Sequence, residues 1–235
     1  MKYKLFEVGG KVRDELMGIE SNDVDYCVVI FPAPEITSAA VAFEMFTEQL
    51  KSEGHTIYAS MPDRFAIRTA FPKDHPKFPK MKCDFTLAVK GDAIGDLKDD
   101  LCRRDFTMNA IAKDVDTGAI IDFFGGADDI ANRLIRCVGY PIDTFKSDPL
   151  RIVRALRFSM TKHMYIDDSI WLTISDFYLK LDSVSDDRLL RELDKMFRHN
   201  SMEAFDMLNK LNRFNSELYR YITSKFWFKP NIKKV

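Results

Sequence analysis

The sequence predicts an α+β fold in two parts, strands interspersed with helices from residue 1 to about 140 and then an almost wholly helical stretch over 141–235. Two patterns predict it. Before residue 140, short β-branched and aromatic runs alternate with helical periodicity and are cut by Gly and Pro; after it, apolar residues recur three or four apart. A chain of 235 residues, 46% hydrophobic and 30% charged, is also long and apolar enough to bury a real core, which excludes general disorder.

Taken in order, Lys4 to Val8 reads as a short strand ending at Gly9 and Gly10, Val12 to Met17 as a helix, and Val24 to Phe31 as a buried strand closed by Pro32 and Pro34. Ala39, Ala42, Phe43, Phe46 and Leu50 place a helix over Ile36 to Lys51, with Gly54 as its C′ residue. Strands follow at Thr56 to Ser60, Phe65 to Phe71 and Lys82 to Val89, the last two separated by an exposed loop with Pro72, Pro76 and Pro79. After Asp105 a helix is expected at Thr107 to Ala112, a strand at Ala119 to Phe123, and a Gly125-Gly126 turn into a helix at Ala127 to Arg133. A strand at Leu134 to Val138 leads to Gly139 and Pro141. Beyond it, Leu150 to Met160, Ile170 to Leu179, Asp186 to Phe197 and Met202 to Leu211 carry helical apolar spacing.

No apolar run approaches a membrane span and the first ten residues lack a secretory layout, so a cytoplasmic address and no membrane partner are expected. Cys27, Cys83, Cys102 and Cys137 stand far apart in or beside apolar stretches and are expected as buried reduced thiols rather than zinc ligands. The formal charge of −1 conceals an asymmetry: residues 147–235 hold 16 Lys and Arg against 12 Asp and Glu, a balance of +4. From Lys210 onward seven basic residues face only Glu217, with Tyr219, Tyr221, Phe226, Trp227 and Phe228 among them. That composition suits phosphate contact and stacking on RNA, and equally a solvated helix face with a basic tail.

The chemistry concentrates in Gly9-Gly10-Lys11-Val12-Arg13-Asp14, followed by Asp23-Val24-Asp25 at the mouth of the buried strand. Two glycines between strand and helix let a backbone approach a ligand, the helix start favours an anion, and Arg13 adds a forked cation for phosphate. Residues two apart in a strand share a face, so Asp23 and Asp25 aim their carboxylates at one point. Such a pair repels unless a divalent cation sits between, and hard oxygen donors suit Mg²⁺ bridging to nucleotide phosphates. Asp84 is the natural third carboxylate, as a metal ligand or proton acceptor, or else an ordinary strand-end aspartate. Arg103 and Arg104 are suited to triphosphate charge. Asp105 and Asn109, four apart, share a face that holds a loop or a ribose, and Asp105 also reads as an N-cap. On the helix after Asp148, Arg151, Arg154 and Arg157 form one stripe; Asp148 and Arg151 together offer an acceptor and rigid donors for a base edge, whereas the bland reading is a solvated face.

Together these motifs resemble the class II tRNA nucleotidyltransferase and bacterial poly(A) polymerase family, a branch of the polymerase-β-like nucleotidyltransferases. Arg103 to Ala110 is similar to the family's second motif, Asp122 to Asp129 to its glycine-containing third, Asp148 to Phe158 to its nucleotide-selecting helix and Asp187 to Leu193 to the helix that follows. The resemblance runs from residue 5 to about 200. It implies a mixed-sheet nucleotidyltransferase head with flanking helices over 1–140 and a helical neck with part of a body over 141–235. It also implies two Mg²⁺ ions at Asp23 and Asp25, with Asp84 as third catalytic carboxylate. Nucleotide contacts are implied at Gly9, Gly10, Arg13, Arg104, Asn109, Asp148, Arg151, Arg154 and Arg157.

The activity so implied is template-independent addition of CCA to a tRNA 3′ end from CTP and ATP. The alternatives are a poly(A) polymerase, an enzyme adding only C or only A to RNA, transfer of a nucleotide to a protein or small molecule, and a non-catalytic nucleotide- or RNA-binding protein. Ser147 stands where CCA-adding members usually carry Glu, and typical members continue through a longer helical body and tail.

Overall fold

The computed structural model describes residues 1–20, 24–76 and 78–225, with the backbone alone at 175–180. Asp23, and Phe226, Trp227 and Phe228 with the basic residues after them, lie outside the described residues. The chain divides into two compact units, residues 1–132 and the residues from Arg133 onward.

In chain order the first unit runs β1 (Tyr3–Val8), α1 (Gly10–Leu16), β2 (Val24–Ile30), α2 (Ala39–Ser52), β3 (Thr56–Met61), β4 (Ala66–Ala70), β5 (Lys82–Leu87), β6 (Val89–Lys90), β7 (Ala93–Ile94), α3 (Leu97–Leu101), β8 (Ile111–Asp114), β9 (Ile120–Asp122) and α4 (Gly126–Ala131). A seven-stranded sheet has the order β3-β4-β5-β2-β1-β8-β9. Its pairs are antiparallel except β2 with β5, which run parallel, so the sheet is mixed. A parallel pair needs a long crossover, supplied here by α2 and the β3–β4 hairpin.

Period-two alternation gives the sheet its two faces. Tyr26, Val28, Ile67, Phe85 and Leu87 point one way and bury against Ala42, Phe43, Phe46 and Leu50 of α2. Burying each such side chain stabilises the unit by about 1.5–3 kcal/mol. Asp25, Cys27, Asp84 and Arg68 point the other way, where α1 and α3 pack against the sheet over β1, β2 and β8. Beyond those helices the paired positions Asp25, Asp84 and Arg68 remain accessible, and this gap is where the candidate site lies.

Several expectations need correction. Thr107 to Ala112 is not a helix: Thr107–Asn109 is one 3₁₀ turn, after which Ala112 pairs with Val8 and Asp114 with Phe6. The β1 edge captures a segment whose local preference is helical. The strand expected to Val89 ends at Leu87, and Val89 pairs with Ile94 in a separate ribbon around Gly91, whose φ is 58°. Cys27, Cys83 and Cys137 are buried reduced thiols, but Cys102 is exposed at the end of α3.

The second unit holds β10 (Leu134–Ile135), α5 (Pro141–Ser147), α6 (Leu150–Lys162), β11 (Tyr165–Ile166), α7 (Asp168–Phe177), a 3₁₀ segment at Tyr178–Ser183, α8 (Asp186–His199), α9 (Ser201–Phe214) and α10 (Ser216–Ser224). The strand expected over Leu134 to Val138 shrinks to two residues, and it pairs in parallel with β11. The break between the units falls at 132/133, where a boundary near residue 140 was expected, and the ladder lies within the second unit. Within the unit Leu150, Val153 and Leu156 of α6 and Leu189, Leu193 and Met196 of α8 are buried, and the two helices pack together. Asn200 and Asn215 each accept two backbone N–H bonds and start α9 and α10.

Candidate active site

Gly9 joins β1 to α1 with φ 71° and ψ −132°, a conformation that only glycine adopts without strain. A Cβ there would stand 3.1 Å from Nη1 of Arg104 and 3.5 Å from Oδ2 of Asp25. The missing side chain thus lets a cation, a carboxylate and a bare backbone turn converge.

Each partner is held from behind. Arg104 donates from Nε and Nη2 to Oδ2 of Asp100 at 3.0 and 2.8 Å, and from Nη1 to the Asn109 carbonyl at 3.4 Å. Burial works against the Arg104 charge, but Asp100 outweighs it and the pKa is raised further above its high ordinary value. Asp100 is 6% exposed on α3. It was not expected as part of the site, although its i,i+4 spacing to Arg104 was a visible signal.

Arg13, expected as a phosphate contact, stands on α1 one turn after Gly9. It is 6% exposed, donates from Nε to Oδ1 of Asp14 at 2.8 Å and from Nη1 to Oδ1 of Asn109 at 2.6 Å. Asn109 donates in turn to Oδ1 of Asp105 at 2.9 Å, which also accepts the Phe106 N–H at 2.9 Å. Asp105, Asn109 and Arg13 therefore clamp α1 to the Thr107–Asn109 turn. Gly10 lies beside Arg13, its added Cβ falling 3.5 Å from Nη2.

Asp25 is exposed and its direct partner across the parallel β2–β5 pair is Asp84. The two project from one face of adjacent strands, so their like charges repel across the pair. Asp84 carries a counter-charge that the sequence reading missed. Arg68, its cross-strand partner on β4, donates from Nε to Oδ1 at 3.0 Å and from Nη2 to Oδ2 at 2.7 Å. The only linear signal was a charged residue between Ile67 and Thr69, both fully buried.

These donors suit a hard divalent cation: an exposed carboxylate on Asp25, a second in register, and a guanidinium beside them to share phosphate charge. Among the described residues no group of three or more His, Cys, Asp and Glu is gathered for a metal, and Asp23 lies outside them. Burial pushes Cys27 well above the ordinary thiol range and Cys83 up to about 12.

The third motif is structural. Asp122 accepts backbone N–H bonds from Phe124 and Gly126 on Oδ1 at 3.1 and 3.0 Å and from Ala127 on Oδ2 at 2.8 Å, capping α4. A Cβ on Gly126 would stand 2.1 Å from the Thr107 carbonyl oxygen, so glycine is required for that helix to approach the turn.

Within the second unit, Asp148 precedes α6 and accepts the Leu150 N–H on Oδ1 at 3.2 Å. Its Oδ2 accepts from Nη2 of Arg188 on α8 at 2.6 Å. Arg151, Arg154 and Arg157 are all half-buried, not a solvated stripe. Arg157 donates from Nε to Oε2 of Glu192 at 2.5 Å, and Nη1 of Arg154 lies 3.8 Å from Oε1 of the same carboxylate. Glu192 is 4% exposed and also accepts from Lys195 at 2.9 Å. Burial alone would raise its pKa; Arg157, Lys195 and Arg154 together reverse that and lower it. Of the basic residues from Lys210 on, Lys210 lies over the Trp171 ring and Lys225 pairs with Asp186 at 2.9 Å.

Residues 5–136 match the Poly A polymerase head domain. A CCA-adding enzyme of Staphylococcus epidermidis is 33% identical over 214 residues, covering 91% of this chain and 51% of that one. The crystal structure of the Bacillus stearothermophilus CCA-adding enzyme in complex with CTP gives a TM-score of 0.74 at 26% identity, covering 95% of this chain and 53% of that chain. A tRNA nucleotidyltransferase complexed with a primer tRNA and an incoming ATP analog gives 0.72 at 29% identity, covering 97% and 61%. The chain spans about half the length of the curated relatives it matches. With a diglycine bend, a carboxylate pair on two interior strands and an arginine brought together, and with that match over more than half its length, the chain belongs to the Poly A polymerase head-domain family, whose full-length relatives are CCA-adding enzymes.

Proposed function

We propose that this protein is a template-independent nucleotidyltransferase that adds CCA to the 3′ end of tRNA from CTP and ATP. The observation that carries the reading is the convergence of Asp25 and Arg104 on the side-chain-free turn at Gly9, with Asp84 in register beside it. Relatives crystallised with CTP and with a primer tRNA and an ATP analog support the substrate class.

In this reading Arg104 and the Gly9-Gly10 backbone bind the triphosphate, and Asp100 keeps the Arg104 fork aimed. Asp23 and Asp25 would hold two Mg²⁺ ions, which when bound neutralise triphosphate charge and polarise the attacking hydroxyl. The 3′-hydroxyl oxygen forms a bond to the α-phosphorus, the bond to the bridging oxygen breaks, and pyrophosphate leaves with that electron pair. Asp84 accepts a hydrogen bond from the hydroxyl and takes up its proton. Asp148 and Arg151 select the base, while Arg154 and Arg157 shape that helix. Ser147, whose hydroxyl donates to the Thr144 carbonyl at 2.8 Å, favours a second reading in which only C or only A is added, or poly(A).

The test incubates the protein with Mg²⁺, each triphosphate separately, and tRNA ending at the discriminator base, C or CC, then sequences the 3′ ends. Wild type should extend at least one of these ends, and Asp25→Ala or a chelator should lower the rate by a factor of about 10³ or more. Full extension by Asp25→Ala, or none by wild type, refutes the transferase reading.

A further inference from the structure

We propose that Arg68 is a positioning residue for nucleotidyl transfer, its guanidinium fork fixing Asp84 beside Asp25 so that the carboxylate meets the attacking hydroxyl in one orientation. The proposal rests on the reading above that Asp84 serves the reaction. Register puts Arg68, Asp84 and Asp25 in one row across β4, β5 and β2, each the direct partner of the next. On the opposite face Ile67 and Thr69 are fully buried, so the backbone beneath Arg68 is anchored by the core.

The contact is a two-point fork, Nε to Oδ1 at 3.0 Å and Nη2 to Oδ2 at 2.7 Å, which fixes the plane of the carboxylate as well as its place. An ionised carboxylate has about four acceptor positions and a fork uses two, leaving the others for substrate. The counter-charge also relieves the repulsion that Asp84 meets from Asp25 in the adjacent strand. Stability does not explain the pair: the Arg68 side chain is 60% exposed and that of Asp84 31%, and ion pairs so exposed add little to folding. Lysine cannot reproduce the fork, because an ammonium is a point charge.

The experiment measures kcat and KM for single-nucleotide addition by wild type, Arg68→Met, Arg68→Lys, Asp84→Asn and the Arg68→Met, Asp84→Asn double variant, with a thermal melt of each. Arg68→Met should lower kcat by roughly 10–100-fold with triphosphate KM and melting midpoint little changed, and Arg68→Lys should recover part of that loss. The double variant should be no slower than Asp84→Asn alone. Wild-type kcat in Arg68→Met overturns the proposal, as does a loss confined to RNA KM, which would make Arg68 a phosphate contact. Multiplying losses in the double variant overturn it too. Full activity in Asp84→Asn removes the role of Asp84 and this proposal with it, while loss of activity in Asp25→Ala leaves the transferase reading standing.

Discussion

Gly9 shows how little material the site needs. Its positive φ and the 3.1 Å approach of Arg104 leave no room for even a methyl group without strain. Gly9→Ala should therefore cost about 1–3 kcal/mol of stability. It should also raise the triphosphate KM several-fold, because Arg104 must give way; urea titration and steady-state kinetics check the two effects, and unchanged KM would detach Gly9 from nucleotide binding. The need for glycine was legible in the linear motif, since a bend between strand and helix is local. The bonding partners of Arg13 were not. Its side chain is suited to phosphate in isolation, yet Asn109, far along the chain, and Asp14 take up its donors in the buried clamp.

At the scale of elements, the α6–α8 contact is organised by one buried carboxylate. Glu192 accepts from Arg157 and Lys195, and its pKa lies below the ordinary value of 4.5 because those cations outweigh burial. A depressed carboxylate pKa contributes stability that is fully present above the unfolded value and is lost as pH falls through the lower folded value. The denaturant midpoint should thus fall from about pH 6 to about pH 3 more steeply in wild type than in Glu192→Gln, in which that group no longer titrates. Parallel curves for the two proteins would show that Glu192 carries none of the acid sensitivity. The spacing of Arg151, Arg154 and Arg157 was readable as one stripe, but that Glu192 lies against it required the packing of two helices. Likewise, Thr107 to Ala112 has helical preference yet supplies a strand, because the unpaired edge of β1 offers backbone partners that local propensity does not count.

For the molecule as a whole, the proposed division of labour puts chemistry in the first unit and base choice in the second. Asp148→Ala and Arg151→Ala should then narrow the kcat/KM ratios among the four triphosphates more than they slow the best substrate; ratios equal to wild type would remove base selection from α6. Arg188, which holds Asp148 at 2.6 Å, is part of the same arrangement. The sequence by itself determined the order and type of most elements, the glycine bend and the candidate carboxylates, because periodicity, turn chemistry and the shared face of residues two apart act over a few residues. Tertiary structure alone decided which charge meets which: Arg68 with Asp84, Asp84 with Asp25, Arg157 with Glu192. Strand register and helix packing set those pairs, and the spacing of residues along the chain carries no record of partners brought together only when the core closes.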